Sequence, residues 1–436
     1  MDQSLKVAVA GLGTVGAGTL KLLWEHKELL KDRCGRELEV TAVSSRDRNR
    51  DRGVSLDGIK WFDDPVAMAR EADADVIVEL IGGSDGVAKD VCEQAIASQR
   101  SVVTANKALI ALHGVELASQ AEGIGVTLAF EAAVAGGIPI IKAVREGLAA
   151  NRLSRVYGIL NGTCNFILTK MRMEGRSFDE VLAEAQKLGY AEADPSVDVD
   201  GIDAAHKLAI LSSVSFGCKV NFEAVHIEGI RHVSSLDIRF AEELGYRIKL
   251  LGIAQVTKHG LEQRVHPCMV PLEDPIAHIE DVFNAVVVDG DHVDTTMYEG
   301  RGAGAGPTAS AVVSDLVDIA RGRTIPAFAL PVSKLVNMPP SPMELHKGAY
   351  YVRLMVHDRA GVFADVAAIL RDHTVSMESI LQRGHADRPG GAVPVVMTLH
   401  ETEEGKMMRT LAEIEKLDAM VEPPRMIRIE SLNSRP

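Results

Sequence analysis

Cysteine is scarce and scattered in this chain of 436 residues: five in all (Cys34, Cys92, Cys164, Cys218 and Cys268), an odd number with no Cys-x-x-Cys pair. That spacing argues against both a disulfide framework and a zinc cage, and a reducing cytoplasm is the expected setting. Positive charge is in deficit, with 47 Lys and Arg against 61 Asp and Glu and a formal net charge of −14. Such a surface disfavours nucleic-acid backbones and membrane surfaces as partners, while leaving room for a small anion in a local pocket. There is no run of about 18 uninterrupted apolar residues, so no membrane helix is expected. The N-terminus has no apolar stretch behind a basic start, so a signal peptide is not expected either. Proline crowds only one stretch, residues 337–342, with three in six; such a segment joins neither a helix nor a central strand and is expected to be a linker.

What is present is globular material. Hydrophobic residues make up 46% and charged residues 25%, enough for more than one core and unlike a disordered chain. At about 150 residues per domain, the length predicts roughly three domains. Residues 6–10 form a short strand that ends in Gly11-Leu12-Gly13-Thr14-Val15-Gly16, and a helical pattern follows. Further strands are expected at 38–43, 75–79, 101–104 and 125–130, with a helix at 87–98. This alternation predicts a doubly wound parallel sheet of Rossmann type. After about residue 135 the rhythm becomes α+β. A strand is expected at 153–159, helices at 164–173, 177–187, 201–216 and 237–246, short strands between 220 and 293, and a helix at 308–321. Beyond the prolines the order is βαββαβ, with Tyr350, Val352, Leu354 and Val356 on one strand face.

Two segments carry chemistry. In G-x-G-x-x-G between a strand and a helix, the first glycine permits the tight turn and the second lets the backbone approach a pyrophosphate. The third lets helix and strand pack closely. The second strand ends in Ser44-Ser45-Arg46, where an acidic residue would select NAD; Arg46, helped by Ser44, Arg48 or Arg50, suits the 2′-phosphate of NADP, with NAD as a tolerated alternative. The other segment runs from Gly189 to Lys207. Asp203 and Lys207 stand four apart on one helix face. Glu192, Asp194, Asp198 and Asp200 crowd the loop before it, an arrangement that points to a bound cationic or polar group.

The stretch from Ala185 to Lys207 (A-x-x-x-G-Y-A-E-A-D-P-S-V-D-V-D-G-I-D-A-A-H-K) resembles the signature of the homoserine dehydrogenases. So do Val103-Thr104-Ala105-Asn106-Lys107, residues 131–139, Asn161-Gly162-Thr163-Cys164-Asn165 and the Gly-rich residues 302–307, in the family's order. Cys164 departs from the pattern, which more often has Thr. The last 80 or so residues resemble an ACT domain, with its Asp358-Arg359-Ala360-Gly361 turn, and no kinase domain precedes the Rossmann part.

The resemblance implies interconversion of L-homoserine and L-aspartate 4-semialdehyde. It implies Lys207 as the proton donor and acceptor with Asp203 beside it, and Lys107 between cofactor and substrate. Glu192 and Asp198 would hold the amino group, and Gly162 and Thr163 would meet the substrate. Gly306 joins the glycine turn in binding the cofactor. Glu131, with backbone carbonyls of Val134, Gly136 and Ile138, would hold a monovalent cation, Na⁺ in the family. L-Threonine is the expected effector of the ACT module, and a homodimer or homotetramer the expected assembly. The chemistry agrees: hydride transfer to an aldehyde makes an alkoxide, which a nearby ammonium stabilises and protonates. The expected domains are a cofactor domain over 1–135 completed by 300–330, a catalytic and dimerisation domain over 136–335, a linker over 336–347 and the ACT domain over 348–436. Two rivals differ in kind: an acylating semialdehyde dehydrogenase with Cys164 as nucleophile at a helix N-terminus, and an NADP-dependent amino-acid sensor without turnover.

Overall fold

The structure, a computed structural model, describes residues 4–383 and 391–431. Six parallel strands form the first sheet: β1 (Leu5–Ala10), β2 (Leu38–Ser44), β3 (Lys60–Phe62), β4 (Val76–Glu79), β5 (Ser101–Thr104) and β6 (Leu128–Ala129), in the order β3-β2-β1-β4-β5-β6. The strands are short and apolar because both faces are covered. Ala8, Ile77 and Val102 enter one core with Met68, Val91 and Leu109, from the helices Pro65–Glu71, Val87–Ala97 and Lys107–Ile124. Val7, Val9, Val78 and Val103 enter the other, beneath helix Thr14–Glu25 and the sequence-distant helix Ala305–Ala320. The strand order reverses between β1 and β4, so a crevice opens at the carboxyl ends of these strands.

Three of the boundaries that differ from the sequence pattern have a clear local cause. The strand expected at 125–130 narrows to Leu128–Ala129, because Gly125, at φ +82°, closes the preceding helix and Phe130 turns into a 3-10 turn, Glu131–Ala133. The helix expected at 237–246 is Ser235–Glu243, started by a Ser234/Asp237 capping box; Gly245 (φ +86°) follows its end and Tyr246 begins a strand. The last helix of the catalytic part starts at Ala305 rather than Thr308. Pro307 falls in its first turn, where a missing N–H costs nothing.

The remaining strands make one ten-stranded mixed sheet: β7 (Leu153–Ile159), β8 (His226–Ile227), β9 (Tyr246–Thr257), β10 (Gly260–Pro271), β11 (Phe283–Gly290), β12 (Asp294–Arg301), β13 (Lys347–His357), β14 (Met377–Gln382), β15 (Ala392–Glu403) and β16 (Arg425–Ile429). Nine run in the order β12-β11-β7-β9-β10-β16-β13-β15-β14, and β8 pairs with β10. The last four strands in that order come from the C-terminal module, whose core holds Tyr350, Val352, Leu354 and Val356 with Val366 and Met407 of its two helices. This module is joined to the catalytic sheet by the parallel pairing of β10 with β16 at Cys268 with Arg428 and Met269 with Ile429.

Buried charge pairs cross the junction. Arg264 donates to both carboxylate oxygens of Glu430 at 2.9 Å, and Arg428 to those of Glu228 at 2.8 and 3.0 Å. The proline-rich segment is strapped down rather than free. Leu261 N donates to Pro339 O and Ser341 N to Leu261 O, both at 2.9 Å. A Cβ at Gly260 would lie 2.0 Å from Pro339 O, so only glycine admits this approach.

Candidate active site

The glycine turn has the expected geometry. Gly11 takes φ +98°, and a Cβ there would strike the Leu80 carbonyl at 2.5 Å. A Cβ on Gly16 would meet Gly11 O at 2.0 Å, whereas one on Gly13 would stand in open space, leaving the backbone approachable from the cleft. Helix Thr14–Glu25 has no side-chain cap, so its first N–H groups are available to a phosphate. Gly11, Leu12, Gly13, Ser44, Ser45, Arg46, Arg50 and Arg52 line a cleft of about 890 Å³. Thr14, Val15 and Gly16 form the first turn of helix Thr14–Glu25 and are not among the residues lining that cleft. Gly306 sits in the first turn of helix Ala305–Ala320, which packs against helix Thr14–Glu25 where Gly18 meets Ala305.

Arg46 is exposed at the cleft, but Arg52, which the sequence pattern did not single out, is the structural member of the arginine run. It donates to Leu12 O and Ser45 Oγ, each at 3.2 Å, and to Asp47 O. Its guanidinium lies 5.6 Å from the Trp61 ring centroid. The Arg-rich run 46–52 was its only signal in the sequence.

A second cavity, of about 530 Å³, is lined by Lys107, Gly162, Thr163, Glu192, Asp198, Asp203 and Lys207, together with Gly302–Gly304. Helix Ile202–Phe216 brings Asp203 and Lys207 onto one buried face: Lys207 Nζ donates to Asp203 Oδ2 at 2.7 Å and to Leu160 O, beyond the end of β7, at 2.8 Å. From the cofactor sheet, Lys107 Nζ reaches Asp203 Oδ1 at 3.1 Å. Asn161 Nδ2 donates to both Asp203 (2.9 Å) and Asp198 (2.8 Å), while its Oδ1 caps helix Gly162–Glu174 by accepting from Cys164 N. Burial works against the Asp203 carboxylate, but Lys207, Lys107 and Asn161 outweigh it and hold its pKa well below the usual range. The Asp203 charge is the first cause that raises Lys107. Burial and the nearby Asp203 push Asp198 up.

Lys107 is held by a network that the sequence pattern did not reveal. Glu79, fully buried at the end of β4, accepts from Thr104 Oγ1 at 2.6 Å and from the amides of Ile81 and Gly82. Thr104 in turn accepts from Asn106 N, and Asn106 Oδ1 caps the helix that begins at Lys107. The two lysines thus come from different helices, Lys107–Ile124 and Ile202–Phe216, and share one carboxylate beside the dinucleotide cleft.

Known proteins of this kind match along nearly the whole chain. A family model described as homoserine dehydrogenase matches residues 139–317, its NAD-binding domain residues 11–131, and an ACT domain residues 350–416. A homoserine dehydrogenase from Pseudomonas aeruginosa is 47% identical over 98% of this chain and 99% of its own. A crystal structure of the Thiobacillus denitrificans homoserine dehydrogenase superposes with a TM-score of 0.91 at 45% identity, covering 98% of both chains. The chain belongs to the homoserine dehydrogenase family. A hyperthermophilic archaeal homoserine dehydrogenase solved in complex with NADPH is 27% identical, with a TM-score of 0.64, over 74% of this chain and 99% of its own.

As a homoserine dehydrogenase, the protein is an oxidoreductase acting on a CH–OH group with NAD(P). The Cys164 thiol does not suit the nucleophile of the acylating rival. It is wholly buried, its Sγ donates to Asp198 O at 3.2 Å, and burial among carboxylates raises its pKa well above the ordinary value.

The remaining expected site, the loop from Glu131 to Ile138, is buried except at Gly137. The Glu131 side chain is committed to the backbone: its oxygens accept from Ile141 N (3.0 Å) and Lys142 N (2.9 Å), and burial with Asp315 pushes its pKa up to about 8. Ile138 O accepts from Ile140 N, whereas no N–H among the described residues donates to the carbonyls of Val134 and Gly136. Buried carbonyls without a donor, beside a carboxylate, suit a hard cation of low charge. No helix among the described residues is long and apolar enough to cross a membrane.

Proposed function

We propose that the chain interconverts L-homoserine and L-aspartate 4-semialdehyde with NADP as its preferred cofactor, and that Lys207 is the proton donor and acceptor. The observation that carries this reading is the pair of lysines sharing Asp203 in a cavity next to the dinucleotide cleft. When bound, the nicotinamide supplies or accepts the hydride at the substrate carbon. An ammonium has three donors; Lys207 spends two on Leu160 O and Asp203, leaving the third for the substrate oxygen. In aldehyde reduction that proton neutralises the developing alkoxide, and in alcohol oxidation the amine takes it back. Asp203 orients Lys207 and offsets the second charge on Lys107, which faces the cofactor side. Glu192 and Asp198 favour the substrate ammonium, and Gly162 and Thr163 open the helix that lies against the rest of the substrate.

Arg46 at the cleft supports NADP over NAD through a charge-assisted contact to the 2′-phosphate. The Glu131 loop supports a structural Na⁺ site held by Glu131 with the backbone carbonyls of Val134, Gly136 and Ile138. In the ACT module, His357–Phe363 and the facing strands enclose a cavity of about 240 Å³, which supports L-threonine as the effector. Assembly as a dimer or tetramer is part of the same reading. Steady-state assays of homoserine-dependent reduction of NADP and of NAD, with and without threonine, test it. The reading predicts turnover favouring NADP and inhibited by threonine; cofactor binding without turnover would leave the sensor reading in its place.

A further inference from the structure

Asn284 is the second residue of β11, opposite Gly300 of β12. Its strand neighbours Phe283 and Ala285 face one core, whereas Val286 and Val288, on its own side, face the core that contains helix Ile202–Phe216. The amide therefore points to the side of the sheet that carries Lys207, and it lines the same 530 Å³ cavity. It is only 1% exposed, yet neither Nδ2 nor Oδ1 has a hydrogen-bond partner among the described residues. A buried amide left unpaired is costly, and an apolar side chain of similar size would avoid that cost. An unpaired amide facing a ligand cavity is explained when the ligand pairs with it.

Two glycines frame this amide. A Cβ on Gly302 would lie 2.2 Å from Asn284 Nδ2, so the Gly-rich loop lies against the amide only because it lacks a side chain there. A Cβ on Gly162 would lie 3.4 Å from Asn284 Oδ1, which puts the amide beside the first turn of helix Gly162–Glu174. Asn161 caps that helix only at Cys164 N, leaving the earlier N–H groups for a ligand. The carboxylates of the cavity suit the substrate ammonium, and its lysines the reacting oxygen. For the substrate α-carboxylate the cavity also offers Arg301, whose guanidinium lies over the Phe283 ring, and the helix start and Asn284 are the neutral donors that remain.

We propose that Asn284 is a substrate-binding residue that donates from Nδ2 to the α-carboxylate, alongside the N-terminus of helix Gly162–Glu174. This inference rests on the homoserine reading above. Its test compares Asn284→Ala and Asn284→Asp with the unaltered chain on L-homoserine and on 3-aminopropan-1-ol, the same alcohol without the carboxylate. For Asn284→Ala the expected result is a rise of about tenfold or more in the homoserine KM, with the NADP KM unchanged. For Asn284→Asp a larger rise is expected, because a carboxylate then faces a carboxylate. The preference for homoserine over 3-aminopropan-1-ol in kcat/KM should collapse in both variants; as a ratio within one protein, it is insensitive to partial loss of fold. An unchanged preference, a change confined to the NADP KM, or tighter homoserine binding by Asn284→Asp would each overturn the proposal. If the unaltered chain fails to oxidise homoserine, the substrate assignment itself falls, and this proposal with it.

Discussion

Replacing Asp203 by asparagine removes the one charge that lies between two lysines. Its oxygens are 3.1 Å from Lys107 Nζ and 2.7 Å from Lys207 Nζ. The two ammonium groups therefore lie within about 8 Å, and at an effective dielectric near 20 they repel by roughly 2 kcal/mol; that repulsion stays in the variant, and what the substitution removes is the stronger attraction of each ammonium to the carboxylate. Asparagine keeps the shape and still accepts a hydrogen bond, so the change is mainly one of charge. A nearby carboxylate favours the charged form of a lysine, and Asp203 is the leading cause that raises Lys107. Without it, Lys107 loses the main cause that raises it and gives up its proton at lower pH, and Lys207 loses the carboxylate 2.7 Å away. Aldehyde reduction needs the ammonium form, so its alkaline limb should move down by more than about 1 pH unit; alcohol oxidation needs the amine, so its acid limb should move down too. Profiles of kcat/KM against pH in both directions read this directly. Superimposable profiles for the variant and the unaltered chain would refute the electrostatic role, and a shift to higher pH would refute its sign.

Three further outcomes follow from other parts of the molecule. Arg46→Ala should raise the KM for NADP by about tenfold to a hundredfold and leave that for NAD nearly unchanged, the loss of one charge-assisted phosphate contact; equal effects on both cofactors would remove Arg46 from the 2′-phosphate site. Glu262, 5% exposed at the junction with the C-terminal module, is desolvated, but His346 and Arg264 bring its pKa down to about 2. Its folded value is thus below its unfolded value, so its stabilisation, on the order of 3 kcal/mol, is present above about pH 4.5 and lost as pH falls toward 2. Urea titrations across that window check this, with Glu262→Gln flattening the dependence. Cys164 should resist alkylation in the folded protein, and Cys164→Thr should keep turnover; rapid labelling that abolishes activity would revive the thiol mechanism.

The parts legible in the sequence are local ones. A glycine turn between a strand and a helix, and an Asp and a Lys four apart on a helix, are contained in a few consecutive residues, and the structure has both. The lysine pair joins residues 107 and 207 from two helices far apart in the chain, and no periodicity places them together; the resemblance to a family supplied that pairing. Glu79 and Asn284 were missed because their surroundings come from distant parts of the chain, and a lone buried polar residue looks like any other strand residue; Arg52 was missed because one arginine in the run 46–52 looks like the next. The proline segment misled in a different way. Prolines cannot donate, which suggested a free tether, but Pro339 still accepts through its carbonyl, and the strap is held to Gly217–Lys219 and Leu261. The C-terminal module is likewise less separable than its compact pattern suggested. A cut near Met343 would strip β16 from β10 and leave the buried Arg264 without Glu430.

Turnover by Lys207→Met tests the central claim most directly. Methionine keeps the length and apolar stem while removing both the charge and the proton, and Lys207 lies in the substrate cavity rather than the dinucleotide cleft. The expected kcat for homoserine oxidation is lower by about a hundredfold to ten-thousandfold, the range of a lost general acid or base, with the Kd for NADP unchanged. Turnover near the native rate would contradict it, and would leave Lys107 as the proton donor and Lys207 as a buried structural ion pair.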